Sequence, residues 1–141
     1  MRTPDGQRRP IFWLPTAVIL LSVIAGCGHG EDKTPGARLY DRLCASCHQR
    51  DGAGAKGLYP PLAGTPVPTG DGSVMAAWVL LGVRPPSLPR GAYAGVMPQF
   101  NYLSDVDAAA VINYVRSSFS NAATPVTAEQ IAAVRARYAT P

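Results

Sequence analysis

Histidine, cysteine and methionine are scarce in this chain of 141 residues, which holds two, three and three of them. A structural zinc site takes four nitrogen or sulfur ligands, so metal binding of that kind has few residues to draw on. No stretch alternates between apolar and polar residues as a half-buried strand does, which excludes a sheet-based fold. No basic segment is interleaved with aromatic residues, so the sequence gives no support to nucleic-acid binding.

Two of the three cysteines lie together in the segment Cys44-Ala45-Ser46-Cys47-His48. Two cysteines separated by two residues and followed directly by histidine form the attachment motif of a covalent c-type haem. The spacing lets two thioether bonds reach the vinyl groups on one edge of the porphyrin, while the next residue presents an imidazole to the iron. We therefore predict that Cys44 and Cys47 attach one haem c and that His48 ligates its iron.

A zinc knuckle and a thiol redox pair are the alternatives for this motif. Outside the motif only Cys27 and His29 remain as possible cysteine or histidine ligands of zinc, and Cys27 is itself predicted to carry a lipid. A redox C-x-x-C normally lies near a βαβ pattern, which is absent from this sequence. The haem interpretation is therefore favoured.

The beginning of the chain is typical of an export signal, because three arginines precede an apolar run over residues 11–25. The run is about fifteen residues long and contains Pro15, whereas a membrane-spanning helix needs about twenty. Residues 24–27 (IAGC) resemble a bacterial lipobox, whose cysteine is lipidated after cleavage. We predict a signal peptide over residues 1–26, a lipid on Cys27 and a tether over residues 27–33. The alternative is ordinary cleavage that leaves a free thiol.

Covalent haem attachment takes place outside the cytoplasm, and this sets the expected location. We expect the chain on the periplasmic side of a bacterial membrane, held by the lipid, or soluble in the periplasm if no lipid is added. Residues 34–141 are predicted to form a single domain.

Four segments of this domain are predicted to be helices. They begin at Thr34-Pro35, at Asp71 or Ser73, at Ser104 and at Thr127, where capping residues precede apolar positions. The third helix has a predicted buried stripe of six residues: Val106, Ala110, Val111, Tyr114, Val115 and Phe119. The fold class is predicted as all-α, with about four or five helices wrapped around one haem.

A second axial ligand for the iron is expected among the methionines, since methionine sulfur and histidine nitrogen are the usual choices. Met75 lies inside the predicted helix 71–82, where core packing is favoured. Met97 lies in a loop directly before Pro98, 49 residues after His48, and the proline restricts the chain behind it. We predict Met97 as the ligand, with a role as a loop hydrophobe as the alternative.

Four segments resemble class I bacterial c-type cytochromes: CASCHQRDGAG, YPPLAGTP, MPQFNYLSD and INYVRSSFSNAATPVTAEQI. More narrowly, they resemble the mono-haem modules in the cytochrome subunits of membrane alcohol and sugar dehydrogenases, and similar modules occur in haem-copper oxidases. The resemblance implies a cytochrome c fold over residues 34 to about 137. Those subunits often carry three modules, whereas this sequence has one motif.

The resemblance also implies roles for residues around the haem. Cys44 and Cys47 would form the thioethers, with His48 and Met97 as axial ligands. A proline carbonyl, from Pro60 or Pro61, would accept a hydrogen bond from the histidine ring. Three residues would pack on the haem: Leu62, Trp78 and Tyr114. Two would be able to reach a propionate: Tyr59 and Trp78.

An iron held by both histidine and methionine has no open position, so it passes one electron and does no bond chemistry. The predicted function is a membrane-tethered electron carrier between a dehydrogenase or quinol oxidase and a terminal acceptor, and not an enzyme. Docking to these redox partners is expected to be weak and transient. The alternatives are a haem subunit of a dehydrogenase or oxidase complex, and a peroxidase or gas sensor in which Met97 leaves the iron.

Overall fold

The computed structural model describes residues 34–139. The predicted signal peptide, Cys27 and the predicted tether lie outside the described residues, as do residues 140 and 141. The described part contains six α-helices: α1 (Pro35–Leu43), α2 (Ala45–His48), α3 (Pro66–Thr69), α4 (Gly72–Leu81), α5 (Asp105–Ser117) and α6 (Ala128–Ala139). Over residues 34–139 there is no strand, and an isolated antiparallel bridge joins Ala55 to Tyr59.

The all-α prediction is confirmed, and the helix count of four or five is low. Four helices match the four predicted segments, while α2 and α3 are single turns of four residues each. A single turn is too short to produce a periodic apolar pattern, so neither was predicted. Among the helices between residues 34 and 139, none has the length and apolar character needed to cross a bilayer.

The long helices begin where the capping residues predict. The side-chain oxygens of Thr34, Asp71 and Ser104 accept hydrogen bonds from backbone N–H groups of the following turn, at 3.2, 2.8 and 3.0 Å. Thr127 and Gln130 form a reciprocal capping box, with bonds of 2.8 and 3.2 Å. These bonds satisfy N–H groups that have no partner inside the helix, and they fix where each helix starts.

The first and fifth helices pack against each other more extensively than any other pair. Gly36 makes this possible, because a Cβ atom at that position would overlap the backbone carbonyl of Ala110 and crowd Tyr114. The ring of Tyr40 lies 5.3 Å from that of Tyr114 and 5.2 Å from that of Phe119, measured between centroids. The close contact between α1 and α5 therefore fixes the position of α1. The Cys44–His48 motif follows directly after this helix.

The predicted stripe of α5 is partly wrong. Val106 is 68% exposed, and the buried positions of α5 include Ala108, Ile112 and Arg116. The reason is that α5 contacts α1, α3, α4 and α6, so its buried surface is broader than one stripe. Buried Arg116 donates four hydrogen bonds of 2.7–2.9 Å to backbone carbonyls, those of Pro68, Gly70 and Thr124.

Candidate functional site

His48 is the last residue of α2, and its side chain is buried. Its Nδ1 lies 3.0 Å from the carbonyl oxygen of Pro60. Because a carbonyl can only accept, Nδ1 must carry the proton, and the lone pair of the neutral ring is then on Nε2. Burial lowers the pKa of His48, and the bond to Pro60 opposes this shift. The ring is thus neutral, held in one tautomer, and able to ligate a metal through Nε2.

Of the two prolines predicted to accept the histidine hydrogen bond, the structure has Pro60 as the acceptor and not Pro61. The backbone around the Pro60 carbonyl is crowded. Gly54 has a φ of 68°, its N–H donates to the carbonyl of His48 at 2.9 Å, and a Cβ there would lie 2.5 Å from the carbonyl oxygens of Tyr59 and Pro60. Only glycine fits this conformation and this spacing without strain.

Cys44 and Cys47 are half-buried free thiols on the same turn as His48. The turn closes because the N–H of His48 donates to the carbonyl of Cys44 at 2.9 Å. Burial raises the pKa of Cys44 to about 11, with a smaller contribution from Cys47. A hydrogen bond with Cys47 raises the pKa of Tyr59. The two thiols and the imidazole therefore come from one short segment of backbone.

Three adjoining cavities surround this segment, and His48 and Met97 line all three. The empty space in them amounts to about 740, 820 and 430 Å³, part of it open to solvent. The walls are mostly apolar and include Leu43, Leu62, Val79, Phe100, Leu103 and Ile112. A large, flat and apolar group would be well accommodated between these walls.

This set of residues fits a covalent haem c. Two thiols stand beside a neutral imidazole with a free Nε2, and a thioether sulfur lines the same cavities. The zinc alternative finds no ligand set in the described part, since no group of three or more His, Cys, Asp or Glu side chains in residues 34–139 is arranged to hold a metal ion. The donors that are present are those that haem iron takes, namely imidazole and thioether.

Met75 and Met97 both border the cavities, but in different ways. Met75 is 5% exposed inside α4 and lines two of the cavities. Met97 is half-buried in the loop between α4 and α5, and it lines all three with His48. No helix restricts the direction of the Met97 side chain, so its sulfur is free to face the imidazole.

The other predicted haem contacts divide into two groups. Pro61, Leu62 and Trp78 line the cavities, as does Tyr59. Tyr114 lines none of the three, and it packs instead in the aromatic cluster with Tyr40 and Phe119. Its prediction as a haem contact is wrong, because the face of α5 that bears Tyr114 turns toward α1.

Arg84 is a site residue whose pairing with Trp78 the sequence did not suggest. Its guanidinium carbon lies 4.8 Å from the centroid of the Trp78 ring, and both residues line the cavity that contains Cys47. The sequence indicated this residue only weakly. Arg84 lies two residues after Gly82, the glycine that ends α4, and this spacing is not a specific motif. The pair places an exposed cation on the wall of the cavity that contains Cys47.

Comparison with known proteins agrees with this geometry. The sequence profile of the family described as Cytochrome c matches residues 34–119. The chain belongs to the cytochrome c family. Members bind covalently attached haem c and carry electrons without being catalysts themselves, so this chain is a c-type cytochrome and an electron carrier.

Several curated cytochromes are similar to the chain. The cytochrome c subunit of a quinone alcohol dehydrogenase from Gluconobacter oxydans is 39% identical over 94 residues, which are 65% of this chain and 20% of the relative. Cytochrome c-552 of Thermus thermophilus is 34% identical over 116 residues, 75% of this chain and 88% of the relative. The gluconate 2-dehydrogenase cytochrome c subunit of Pantoea cypripedii is 36% identical over 110 residues, 75% and 25%. The match thus spans a quarter or less of the two dehydrogenase subunits and most of cytochrome c-552.

Replacing Gly54 by alanine is expected to destabilise the haem-loaded cytochrome by about 2–4 kcal/mol, because a left-handed residue with a side chain is strained and the new Cβ would displace the Pro60 carbonyl. Gly57 is the matched control: its φ is 73°, but nothing lies within 4 Å of its Cβ position. Gly57→Ala should cost only about 1–2 kcal/mol. Denaturant titrations measure both values, and equal costs would show that Pro60 is not held by Gly54.

Proposed function

We propose that this cytochrome is a mono-haem carrier in which Cys44 and Cys47 form the two thioethers and His48 and Met97 ligate the iron. When bound, haem c supplies a one-electron redox couple. The observation that carries the proposal is the bond from His48 Nδ1–H to the Pro60 carbonyl, because it leaves Nε2 free beside cavities that Met97 also lines.

Each of these residues has a defined task. Pro60 holds the imidazole in orientation and increases its basicity by accepting the proton of Nδ1. Met97 offers a thioether, which raises a reduction potential relative to a second nitrogen ligand. The apolar walls keep water away from the ligands, and they include Leu43, Val79 and Phe100. A dry and rigid site of this kind reorganises little when an electron arrives or leaves.

Electron transfer is favoured over peroxidase or gas-sensing activity by the residues around the cavities. His48 is the only histidine in residues 34–139, so no second imidazole is available there to assist bond chemistry. Arg84 is stacked on Trp78. No buried side-chain donor or acceptor within the described residues lacks a hydrogen-bond partner. A ligand such as peroxide would therefore meet no unpaired buried polar side chain among residues 34–139.

Substitution of each methionine by alanine tests which of the two ligates the iron. Met97→Ala should abolish the sulfur–iron charge-transfer band of the oxidised protein and allow the reduced protein to bind carbon monoxide. The matched variant Met75→Ala should lose stability, about 2–5 kcal/mol for a buried methionine, but retain the band. Optical spectra recorded with and without carbon monoxide measure both effects. Loss of the band in Met75→Ala but not in Met97→Ala would make Met75 the ligand.

The relatives indicate the class of redox partner. The relatives include cytochrome c subunits of alcohol, gluconate and fructose dehydrogenases. We propose that this chain receives electrons from a dehydrogenase of this general kind and passes them to a terminal oxidase subunit. Cytochrome c-552 matches over most of its length, which supports a carrier built from one such module.

The docking surface is proposed at the mouth of the cavities, formed by residues 52–61 and 82–98. The two segments are joined by backbone hydrogen bonds of 3.0 and 2.9 Å, from Ala94 to Gly57 and from Gly95 to Leu58. These bonds bring together two segments that carry exposed apolar side chains. Leu58 is 51% exposed and Val96 is 84% exposed. An apolar centre of this kind is typical of a surface that meets another protein.

The rim of this mouth surface is positively charged. Its two segments contain Lys56, Arg84 and Arg90, all exposed, and no acidic residue. We propose a partner with an apolar centre and an acidic rim, because such a surface is complementary in both respects. Long-range attraction would speed the encounter, and few buried contacts would keep the complex short-lived.

Charge reversal at Lys56 and Arg90 should change electron exchange with small charged oxidants. We expect the double variant, with both residues as glutamate, to be oxidised about threefold to tenfold more slowly by anionic hexacyanoferrate(III) at low ionic strength, and faster by a cationic cobalt complex. The control, Arg137→Glu on α6, lies outside the mouth surface and should have a smaller effect. Stopped-flow rates over a range of salt concentrations measure this, and equal effects of both variants would contradict the proposed site of electron exit.

The N-terminal sequence indicates where the protein is located. We propose export to the periplasmic side of a bacterial membrane with a lipid on Cys27, supported by the lipobox-like residues 24–27 and by the engagement of the other two thiols with haem. Mass spectrometry of protein extracted from membranes should show a diacylglyceryl group on Cys27. Cys27→Ala should release the cytochrome into the soluble fraction, and an unmodified Cys27 thiol would contradict the anchor.

A further inference from the structure

Asn121 follows α5 and is a buried amide, 6% exposed. Its Oδ1 accepts a hydrogen bond from the N–H of Gly64 at 2.8 Å. Its Nδ2 donates to the carbonyls of Leu62, at 3.1 Å, and Val115, at 2.9 Å. The amide therefore uses both donors and its acceptor to join the end of α5 to a loop that lies 57 to 59 positions earlier in the chain.

The loop bound by Asn121 begins directly after the proline that orients His48. Leu62 is held on both sides, since its N–H donates to the carbonyl of Gly52 at 2.7 Å while its own carbonyl accepts from Asn121. Only Pro61 separates Leu62 from Pro60. The position of the Pro60 carbonyl is thus set from one side by Gly54 and from the other by Leu62.

The backbone that aims Asn121 is strained. Phe119 and Ser120 have φ values of 56° and 62°, and consecutive left-handed residues other than glycine are unusual and costly. The Phe119 ring fills the space above Gly52 and packs on Tyr40. Strain of this kind persists only where surrounding contacts impose it. Residues 119–121 therefore press on Gly52 and bind Leu62, the two ends of one hydrogen bond.

We infer that Asn121 is a positioning residue for the axial histidine, acting through Leu62 and Pro60, an inference that rests on the proposed ligation by His48. Without the Asn121 amide the carbonyl of Leu62 keeps only the Thr65 hydroxyl as donor, at 3.3 Å, and the N–H of Gly64 loses its acceptor, so the loop relaxes. The Pro60 carbonyl then moves away from Nδ1, the imidazole becomes less basic, and the oxidised iron is stabilised less. The reduction potential should rise.

Asn113 provides a matched control on α5. Its Nδ2 donates to the carbonyl of Val126 at 2.8 Å, and its Oδ1 accepts from the N–H of the same residue at 2.7 Å. This amide also bridges the helix to a distant loop, but Val126 lines none of the three cavities around His48. A purely structural role would make the two asparagines equivalent.

The test compares Asn121→Ala with Asn113→Ala in the haem-loaded cytochrome. Spectroelectrochemistry gives the reduction potential, and proton NMR of the oxidised protein gives the hyperfine-shifted signals of the axial histidine ring. We expect Asn121→Ala to shift the equilibrium toward the reduced form by on the order of a few-fold and to move the histidine signals. Asn113→Ala should lose stability and change neither.

If Asn121→Ala does not fold, Asn121→Ser retains a hydroxyl donor and should give a smaller shift of the same sign. Equal potentials and unmoved histidine signals in both asparagine variants would overturn the inference while leaving His48 ligation intact. Absence of histidine signals in the wild-type cytochrome would overturn the proposed function itself.

Discussion

The rest of the site depends on the hydrogen bond from His48 Nδ1 to the carbonyl of Pro60. At 3.0 Å it fixes the tautomer of the imidazole and leaves Nε2 for the iron. Its donor is held by the turn that follows α1, which packs on α5 through Gly36. Its acceptor is held by a loop that Asn121 binds from the far end of α5. Helix α5 and the segment that follows it thus contact the elements that hold both partners of the bond.

The site favours electron transfer because it offers few groups for bond chemistry. The cavities are walled by apolar side chains, the imidazole is already oriented, and Met97 lines the same space. The charged side chain among the lining residues is Arg84, which is exposed and lies with Tyr59 and Trp78 on the cavity that contains Cys47. The charge therefore lies where a partner would meet it.

Local sequence features predicted much of this structure, and contacts between distant segments could not be predicted. The Cys44–His48 motif and the helix caps depend on residues a few positions apart, so spacing alone reveals them. The choice of Pro60 over Pro61 depends on the loop that passes behind His48. Val106 was misplaced because the neighbours of α5 decide which of its faces are buried. Asn121 had no signal at all, since its partners lie more than fifty positions away.

The most direct test of a site closed by two of the chain's own side chains is X-ray absorption at the iron edge of the oxidised wild-type protein. The predicted result is one sulfur donor, from Met97, in addition to the nitrogen donors of the porphyrin and of His48. A first shell made of nitrogen alone would contradict ligation by Met97, and a vacant position would contradict the closed site that favours electron transfer over bond chemistry.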